Sequence, residues 1–308
     1  MSMRVAVFGA SARPGLAQVR QLRAAGHEVR AISRSEVTME PGVEVVAADL
    51  DEPASLLAAC QGVDAVFYTS PTFAGRASAV ERSARLGAAA RQAGVARVVY
   101  NTTTWHPDSV TGVPTMDHAF LKTEALVSSG APVTVIRPSL FMDNLLTAWV
   151  KPELLRRGVL AYPHREDLRV SWISLDDVAR AMVHTLAAPS TTAVGAVVDL
   201  GGPETLTSPD VTDRLGAVLG RTVVYERIPE REFGRRLAAI FGTTMGMPPE
   251  QLVDDLEAHY VFKNAHNPFE ITDVHELVRD LSTEPMSRWL ARQDWSRDGG
   301  VAPGSLSG

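Results

Sequence analysis

Helix and strand patterns alternate along the first 200 residues, and this alternation limits the fold more than any other feature of the sequence. Apolar segments that predict strands lie at residues 4–8, 27–34, 43–50, 64–69, 97–102, 133–138 and 196–200, with predicted helices between them. Such alternation is typical of a parallel sheet that is covered by helices on both faces. The sequence therefore predicts a doubly wound α/β fold with at least six strands.

The first predicted strand runs directly into a glycine-containing turn and then into a helix. Gly9 would let the backbone turn sharply, and the first helical turn would direct unpaired N–H groups at a pyrophosphate. Many glycine turns bind nothing, but the strand–helix–strand unit that follows has the length of a dinucleotide-binding unit. We therefore expect the cofactor phosphates to contact Gly9, Ser11, Ala12, Arg13, Pro14 and Gly15.

The end of the second predicted strand indicates which dinucleotide binds. An acidic residue roughly 20 positions after the turn would bind the ribose 2′-OH of NAD, but Ser33 and Arg34 stand there. A hydroxyl and a guanidinium suit a 2′-phosphate, and Arg13 could reach the same group. The sequence therefore favours NADP(H) over NAD(H). The alternative is that both arginines are solvated, since the chain holds 27 Arg and only three Lys.

Composition excludes several classes of protein and site. A formal charge of −6 gives no overall basic character for binding nucleic acid, although local basic patches stay open. No apolar run approaches the ~20 residues of a membrane span. The single cysteine, Cys60, rules out an internal disulfide and fits a reducing compartment. The eight histidines show no metal-ligand spacing, so no metal site is expected. With the first strand beginning by residue 4, no signal peptide is expected, and the predicted location is cytoplasmic.

The ligand of a doubly wound sheet lies beyond the carboxyl ends of its strands. The residues that follow the predicted strands are therefore further candidates for cofactor contact. They are Asp49, Leu50, Thr69, Ser70, Pro138 and Phe141. Phe141 could equally be part of the core, because apolar residues after a strand commonly are.

The pattern changes after residue 144. Residues 145–165 predict a helix and an irregular link, residues 168–173 a further strand, and residues 222–227 a short strand before a mainly helical region at 229–292. We interpret residues 1–200 as the nucleotide-binding domain and residues 201–296 as a smaller substrate lobe, to which 145–165 contribute. The tail at 297–308, rich in Gly, Ser and Pro, is predicted to be disordered.

Several segments resemble the NmrA-like branch of the atypical short-chain dehydrogenase/reductases. The resemblance rests on the turn at 9–15, the third-strand segment at 45–51 and the run 122–126 followed by 133–144. Later landmarks lie at 176–179, 201–207, 219–221 and 224–225. Together these segments span about residues 4–230. The resemblance implies a Rossmann fold that binds NAD(P), although Ala12 stands where the family has its middle glycine.

The resemblance also implies catalytic residues. Lys122 matches the lysine that binds the nicotinamide ribose in typical short-chain dehydrogenases, and His118 occupies the position of their proton-donating Tyr. An imidazole can donate a proton near neutral pH, but His118 could also be structural or exposed, and His106 is a competing candidate. Lys122 could likewise be a solvated helix lysine. Thr103 lies in the region of the substrate-orienting Ser.

These features leave three functions open. The first is an NADPH-dependent reductase that passes hydride to a quinone, an enone or another carbonyl-bearing small molecule. The second, favoured by the missing Tyr, is a protein that binds NADP(H) without turnover and reports redox state. The third is an isomerase or epimerase with a tightly held nicotinamide. Aromatic residues in the lobe suggest an apolar or aromatic substrate, although each could be core: Trp149, Trp172, Phe233, Phe241, Tyr260 and Phe262. Monomer and homodimer both remain open.

Overall fold

The computed structural model describes residues 2–34, 37–70, 76–241 and 247–296. The predicted tail at 297–308 lies outside the described residues. The strands are β1 (Arg4–Phe8), β2 (Glu28–Ser33), β3 (Glu44–Ala47), β4 (Ala65–Thr69), β5 (Arg97–Asn101), β6 (Val133–Pro138), β7 (Val159–Tyr162), β8 (Val197–Leu200) and β9 (Val224–Arg227). The helices are α1 (Arg13–Ala24), α2 (Pro53–Cys60), α3 (Arg76–Gln92), α4 (Pro114–Val127), α5 (Lys151–Arg157), α6 (Leu175–Leu186), α7 (Ser190–Ala193), α8 (Ser208–Leu219), α9 (Glu230–Phe241), α10 (Pro249–His266) and α11 (Met286–Ala291). Two 3₁₀ helices cover Met142–Leu146 and Glu276–Val278.

Seven strands form one parallel sheet in the order β3-β2-β1-β4-β5-β6-β8. Val5 of β1 pairs with Val29 of β2 on one side and with Ala65 of β4 on the other. The strand order therefore reverses beside β1, which opens a crevice at the carboxyl ends of β1 and β4. The predicted doubly wound α/β fold is confirmed.

Alternate residues of each central strand pack into different cores. Val5 and Val7 face the layer of α1 and α6, whereas Ala6 and Phe8 face the layer of α2, α3 and α4. Because both faces are covered, β4, β5 and β6 are buried along their whole length. This rigid sheet fixes the loops that follow its carboxyl ends.

The smaller lobe is built from α5, α8–α11 and a separate two-stranded parallel sheet of β7 and β9. Leu160, Tyr162, Phe233 and Trp289 are buried in its core. Helix α10 packs against α9 within the lobe and against α4 of the nucleotide-binding part. The lobe therefore stands over the carboxyl edge of the sheet.

Two sequence-based predictions about this region are wrong. Residues 159–162, predicted as part of an irregular link, form β7, because they pair with β9 far along the chain. Residues 168–173, predicted as a strand, make only single bridges, Ile173 with Phe141 and Val170 with Leu206. The sheet position beside β6 is taken by β8, so this segment is not a strand of the main sheet.

No helix among the described residues is both long and apolar enough to span a membrane. Within the same ranges, no group of three or more His, Cys, Asp or Glu side chains could hold a metal ion. The lone cysteine, Cys60, is buried at the end of α2, and burial raises the pKa of its thiol to about 12.

Candidate active site

A cavity of about 270 Å³ lies between the carboxyl edge of the sheet and the helices of the lobe; we call it the edge cavity. The glycine turn and the sheet edge contribute Arg13, Pro14, Thr102, Thr103, Thr104, Ser139, Leu140, Phe141, Asp143, Asn144 and Leu175. Helix α4 contributes Thr115, His118, Ala119 and Lys122. The lobe contributes Trp149, Tyr162, Leu237, Phe241, Met247, Leu252, Asp255, Leu256, His259, Tyr260 and Lys263.

The glycine turn has the backbone geometry of a phosphate cradle. Gly9 has φ of 77°, a conformation that only glycine adopts without strain, and Ala12 N–H donates to Gly9 O at 3.1 Å. A Cβ on Gly15 would lie 2.1 Å from Gly9 O, so any larger residue would push α1 off the turn. The first N–H groups of α1 have no partner within the helix, and a pyrophosphate would provide one.

The cavity and the cradle are adjacent but distinct. Arg13 and Pro14 belong to both, whereas Gly9, Ser11 and Ala12 do not line the cavity. This arrangement leaves room for an extended cofactor that begins at the turn and ends in the cavity.

The end of β2 offers a separate site for a phosphate. Ser33 is buried and Arg34 is exposed, and Arg34 forms no ion pair with a described residue. The prediction that Arg13 joins them is not met in this structure. Its guanidinium instead donates to Asp143 Oδ1 at 3.0 Å, on the side of the edge cavity. Asp143 thus fixes Arg13 away from the end of β2.

Four residues of α4 face the cavity because they are spaced three and four apart along the helix: Thr115, His118, Ala119 and Lys122. Lys122 is only 4% exposed, and burial lowers the pKa of its ammonium to about 8. It forms no ion pair with a described residue. His118 is half-buried one turn before it, so the two predicted catalytic residues of this helix lie on the same wall.

His106, the competing proton donor, is a structural residue. Its ring is buried, with Nδ1 2.8 Å from Pro107 O and Nε2 2.8 Å from Thr123 Oγ1. Burial lowers its pKa to about 4, so the imidazole is neutral. Since both ring nitrogens are engaged and the ring does not line the cavity, this alternative is wrong.

Thr103 has an unusual backbone for a β-branched residue. Its φ is 64°, in the left-handed region, while its hydroxyl donates to Thr102 O at 2.6 Å. A β-branched side chain in this conformation is strained, and such strain is concentrated at functional sites. The bend turns Thr103 and Thr104 into the edge cavity immediately after β5.

The remaining cofactor candidates follow their strands as predicted. Gln18 of α1 donates to Thr69 Oγ1 at 2.8 Å, and Ser70 next to it is buried. Phe141 lines the cavity and also packs on Ala17 and Leu175. The other three lie at strand ends outside the cavity lining: Asp49, Leu50 and Pro138.

Half of the aromatic residues predicted for the substrate lobe face the edge cavity. Trp149, Phe241 and Tyr260 line it, while Trp172 and Phe233 are buried in the lobe core. Phe262 stacks on His266 with the ring centroids 4.2 Å apart. The cavity wall is therefore aromatic on the lobe side.

Sequence reasoning missed the polar face of α10, where Asp255, His259 and Lys263 line the cavity. Lys263 Nζ donates to Thr104 Oγ1 at 2.9 Å, and His259 Nδ1 shares a 2.8 Å hydrogen bond with Thr115 Oγ1. Burial lowers the pKa of Lys263 to about 7 and that of His259 well below its usual value. The feature of the sequence that could have pointed to Lys263 is that lysine is rare in this chain.

Comparison with known proteins shows which family this chain belongs to. The model of the NmrA-like family matches residues 1–286, which include the glycine turn, α4 and α10. The chain belongs to the NmrA-like family. The NAD(P)H azoreductase of Xenophilus azovorans is 31% identical to this NmrA-like protein over 263 residues, covering 83% of this chain and 86% of the relative.

Solved structures with low sequence identity share the fold of this NmrA-like protein. The NADPH-dependent quinone oxidoreductase of Escherichia coli, in complex with NADPH, has a TM-score of 0.72 at 22% identity, covering 93% of this chain and 98% of that one. NmrA, described as a negative transcriptional regulator and solved with NADP, also has a TM-score of 0.72, at 18% identity, covering 96% and 99%. The fold is thus shared by proteins described as a reductase and as a regulator.

Proposed function

We propose that this NmrA-like protein is an NADPH-dependent reductase that transfers hydride to a quinone, an enone or another carbonyl-bearing small molecule. The observation that supports it most strongly is that one cavity is lined by the glycine turn, by a buried lysine on α4 and by the aromatic wall of the lobe. A cofactor that starts on the turn and reaches this cavity would meet an acceptor there.

The cofactor would be held along the carboxyl edge of the sheet. The cradle of Gly9–Gly15 would bind the pyrophosphate, Ser33 and Arg34 the 2′-phosphate, and Lys122 the nicotinamide ribose. The other contacts would come from Asp49, Leu50, Thr69, Ser70, Pro138 and Phe141. When bound, NADPH supplies the hydride. The named relatives that use NAD(P)H support this assignment.

The acceptor would lie against the lobe. Trp149, Phe241 and Tyr260 offer apolar surface, while Thr103 and Thr104 offer hydroxyls near the end of β5. This combination suits a flat, apolar molecule that carries one or two polar atoms. The azoreductase and quinone reductase relatives act, by their names, on substrates of this kind.

Reduction of a carbonyl or quinone also needs a proton. His118 occupies the position of the usual Tyr and faces the cavity, and Lys263 faces it from α10. An imidazole and an ammonium are both groups that enzymes use as proton donors. The reductase proposal requires one such donor and does not depend on which of the two it is.

A second candidate function is NADP(H)-dependent reporting of redox state to a partner. The observation that favours it is His118 in place of the proton-donating Tyr, together with a fold that is shared with the regulator NmrA. In that case the cavity would bind the nicotinamide without an acceptor.

We also infer a cytoplasmic location, because Cys60 is an unpaired thiol and NADPH is a reductant of that compartment.

The deciding experiment follows NADPH oxidation by the purified protein with a panel of quinones, enones and aromatic ketones, next to a direct NADPH titration. We expect turnover with at least one acceptor and its loss in Lys122→Ala. Saturable NADPH binding without turnover on any acceptor would favour the reporter function instead.

A further inference from the structure

The three lysines of this chain are all buried, yet they differ in what compensates their charge. Lys151 Nζ donates to Asp294 O at 2.8 Å and lies outside the edge cavity. Lys122 faces the cavity beside the proposed nicotinamide site. Lys263 faces it from α10 and has so far been named only as one of two possible proton donors.

Lys263 is fixed in position by its neighbours, but no negatively charged side chain in the described part of the chain pairs with its ammonium. Its side chain is 3% exposed, Nζ donates to Thr104 Oγ1 at 2.9 Å, and Nζ lies 4.3 Å from the centroid of the Phe269 ring. It forms no ion pair with a described residue. A hydroxyl and a ring face stabilise a buried ammonium far less than a carboxylate does. An anion bound beside Lys263 would therefore stabilise its ammonium.

The charged and titratable groups around Lys263 form no ion pair with it, and Asp255 lies eight residues, about two helical turns, before it on α10. The titratable side chains that share its surroundings are Lys122 and His118 on α4, His164 after β7, and Asp255, His259 and Tyr260 on α10. Burial lowers the pKa of both His164 and His259, so neither carries charge at neutral pH. The nearby Arg13 and Asp143 balance each other.

Thr104 places this ammonium at the reacting end of the cavity. Thr104 comes three residues after β5 ends, and the carboxyl end of β5 borders the proposed nicotinamide site. The Lys263–Thr104 hydrogen bond spans 159 residues of sequence and ties α10 to this edge. Lys263 would thus meet an acceptor from the lobe side, whereas Lys122 lies on α4, where the proposed nicotinamide site is.

We propose that Lys263 binds the acceptor oxygen that becomes negatively charged on hydride transfer and gives that oxygen its proton, with Thr104 fixing the ammonium in position. This inference rests on the proposed reductase function. The acceptor takes up hydride at its electrophilic carbon, the π electrons of its C=O system move to oxygen, and an N–H bond of Lys263 breaks as the O–H bond forms. NADPH becomes NADP⁺, and the neutral amine regains a proton from solvent.

Binding of a product-like phenol tests the inference without turnover. The probe is 4-nitrophenol, whose neutral and ionised forms absorb at different wavelengths, added to the protein with saturating NADP⁺. We expect wild type to bind it as the phenolate at a pH where the free probe is mostly neutral. Lys263→Met should bind the neutral form or lose binding, while Lys263→Arg should retain the phenolate. Lys151→Met is the matched control for removing a buried lysine and should behave as wild type.

Kinetics provide the second test. With a quinone as acceptor, kcat/KM of wild type should fall as Lys263 loses its proton at alkaline pH. In Lys263→Met we expect this fall to disappear and kcat to drop about 100-fold or more, with NADPH binding retained. Lys263→Arg should keep KM near that of wild type but lose kcat, because a guanidinium holds its proton.

The outcomes separate the two proposals. If wild type reduces acceptors and Lys263→Met matches it in kcat and pH profile, the role of Lys263 is wrong while the reductase function stands. If wild type turns over no acceptor, the reductase function is wrong, and the probe spectrum alone decides whether Lys263 is an oxyanion site. A wild-type protein that binds no phenolate, or an unchanged spectrum in Lys263→Met, would overturn that site.

Discussion

Arg13 and Asp143 form an ion pair of 3.0 Å that joins the glycine turn to the 3₁₀ helix after β6. The second carboxylate oxygen of Asp143 accepts a hydrogen bond from the backbone N–H of Leu175 at 3.0 Å, at the start of α6. One carboxylate therefore connects three segments that meet at the edge cavity. It also directs Arg13 away from Ser33 and Arg34, which leaves Arg34 as the cation at the end of β2.

This separation predicts different effects for the two arginines. Arg34→Ala should weaken NADPH binding about 10- to 100-fold and leave NADH binding nearly unchanged, because a charge-assisted bond to the 2′-phosphate contributes about 1.5–3 kcal/mol. Arg13→Ala should weaken both cofactors by similar factors. Titrating both variants with NADPH and NADH measures the ratios. Equal losses for the two cofactors in Arg34→Ala would contradict a 2′-phosphate site there.

The Arg13–Asp143 pair should also stabilise the fold. Both side chains are about 15% exposed, so Asp143→Asn leaves a guanidinium that is poorly solvated and weakens the contact to Leu175. We expect a loss of about 1–3 kcal/mol in the free energy of unfolding, measured with urea. Glu28→Gln is the control, since its pair with Arg4 is exposed and should contribute little. A loss no larger than in this control would mean that the pair is not stabilising.

The central part of this fold follows from local sequence. The glycine turn, α2 and β6 lie where the patterns predict them, because apolar periodicity, Pro at helix starts and Gly at turns act over a few residues. β7 was missed because its partner strand, β9, is distant in sequence, and short strands are specified largely by such pairing.

The site was less predictable than the fold for the same reason. Spacing on α4 placed His118 and Lys122 together, since residues four apart share a helical face. Nothing local shows that Lys263 meets Thr104, or that Arg13 turns to Asp143 across 130 residues. Both contacts depend on how separate elements pack. From the sequence alone, a buried polar residue on an amphipathic helix looks the same as one that is exposed to solvent.

The backbone of Thr103 gives a prediction that separates stability from activity. Asn tolerates the left-handed region better than a β-branched residue does, so Thr103→Asn should relieve strain of about 1 kcal/mol and raise the thermal midpoint. If the Thr103 hydroxyl orients the acceptor, kcat should fall in the same variant. Differential scanning fluorimetry and NADPH oxidation measure the two effects. A lower midpoint would show that the backbone at Thr103 is not strained.

The burial of Lys263 makes the stability of the protein depend on pH in a defined direction. Its pKa is lowered from 10.5 to about 7, so between these values the unfolded chain binds more protons than the folded one. Burying the charged ammonium therefore destabilises the folded state, and this penalty has its full size below about pH 7. The penalty becomes smaller as the pH rises and disappears near 10.5. Lys122 titrates in the same direction, but it is present in both wild type and a Lys263 variant, so its contribution cancels in their difference.

Lys263→Met should consequently have its most favourable effect on stability in acid. We expect the thermal midpoint of the variant, relative to wild type, to be highest near about pH 6 and to decline steadily toward about pH 10. Lys151→Met shows what the loss of a buried lysine outside the edge cavity does under the same conditions. A midpoint difference that does not change with pH would mean that Lys263 keeps an ordinary pKa in the folded protein. Its ammonium would then already be compensated, and the edge cavity would have no charge prepared for the oxygen of an acceptor.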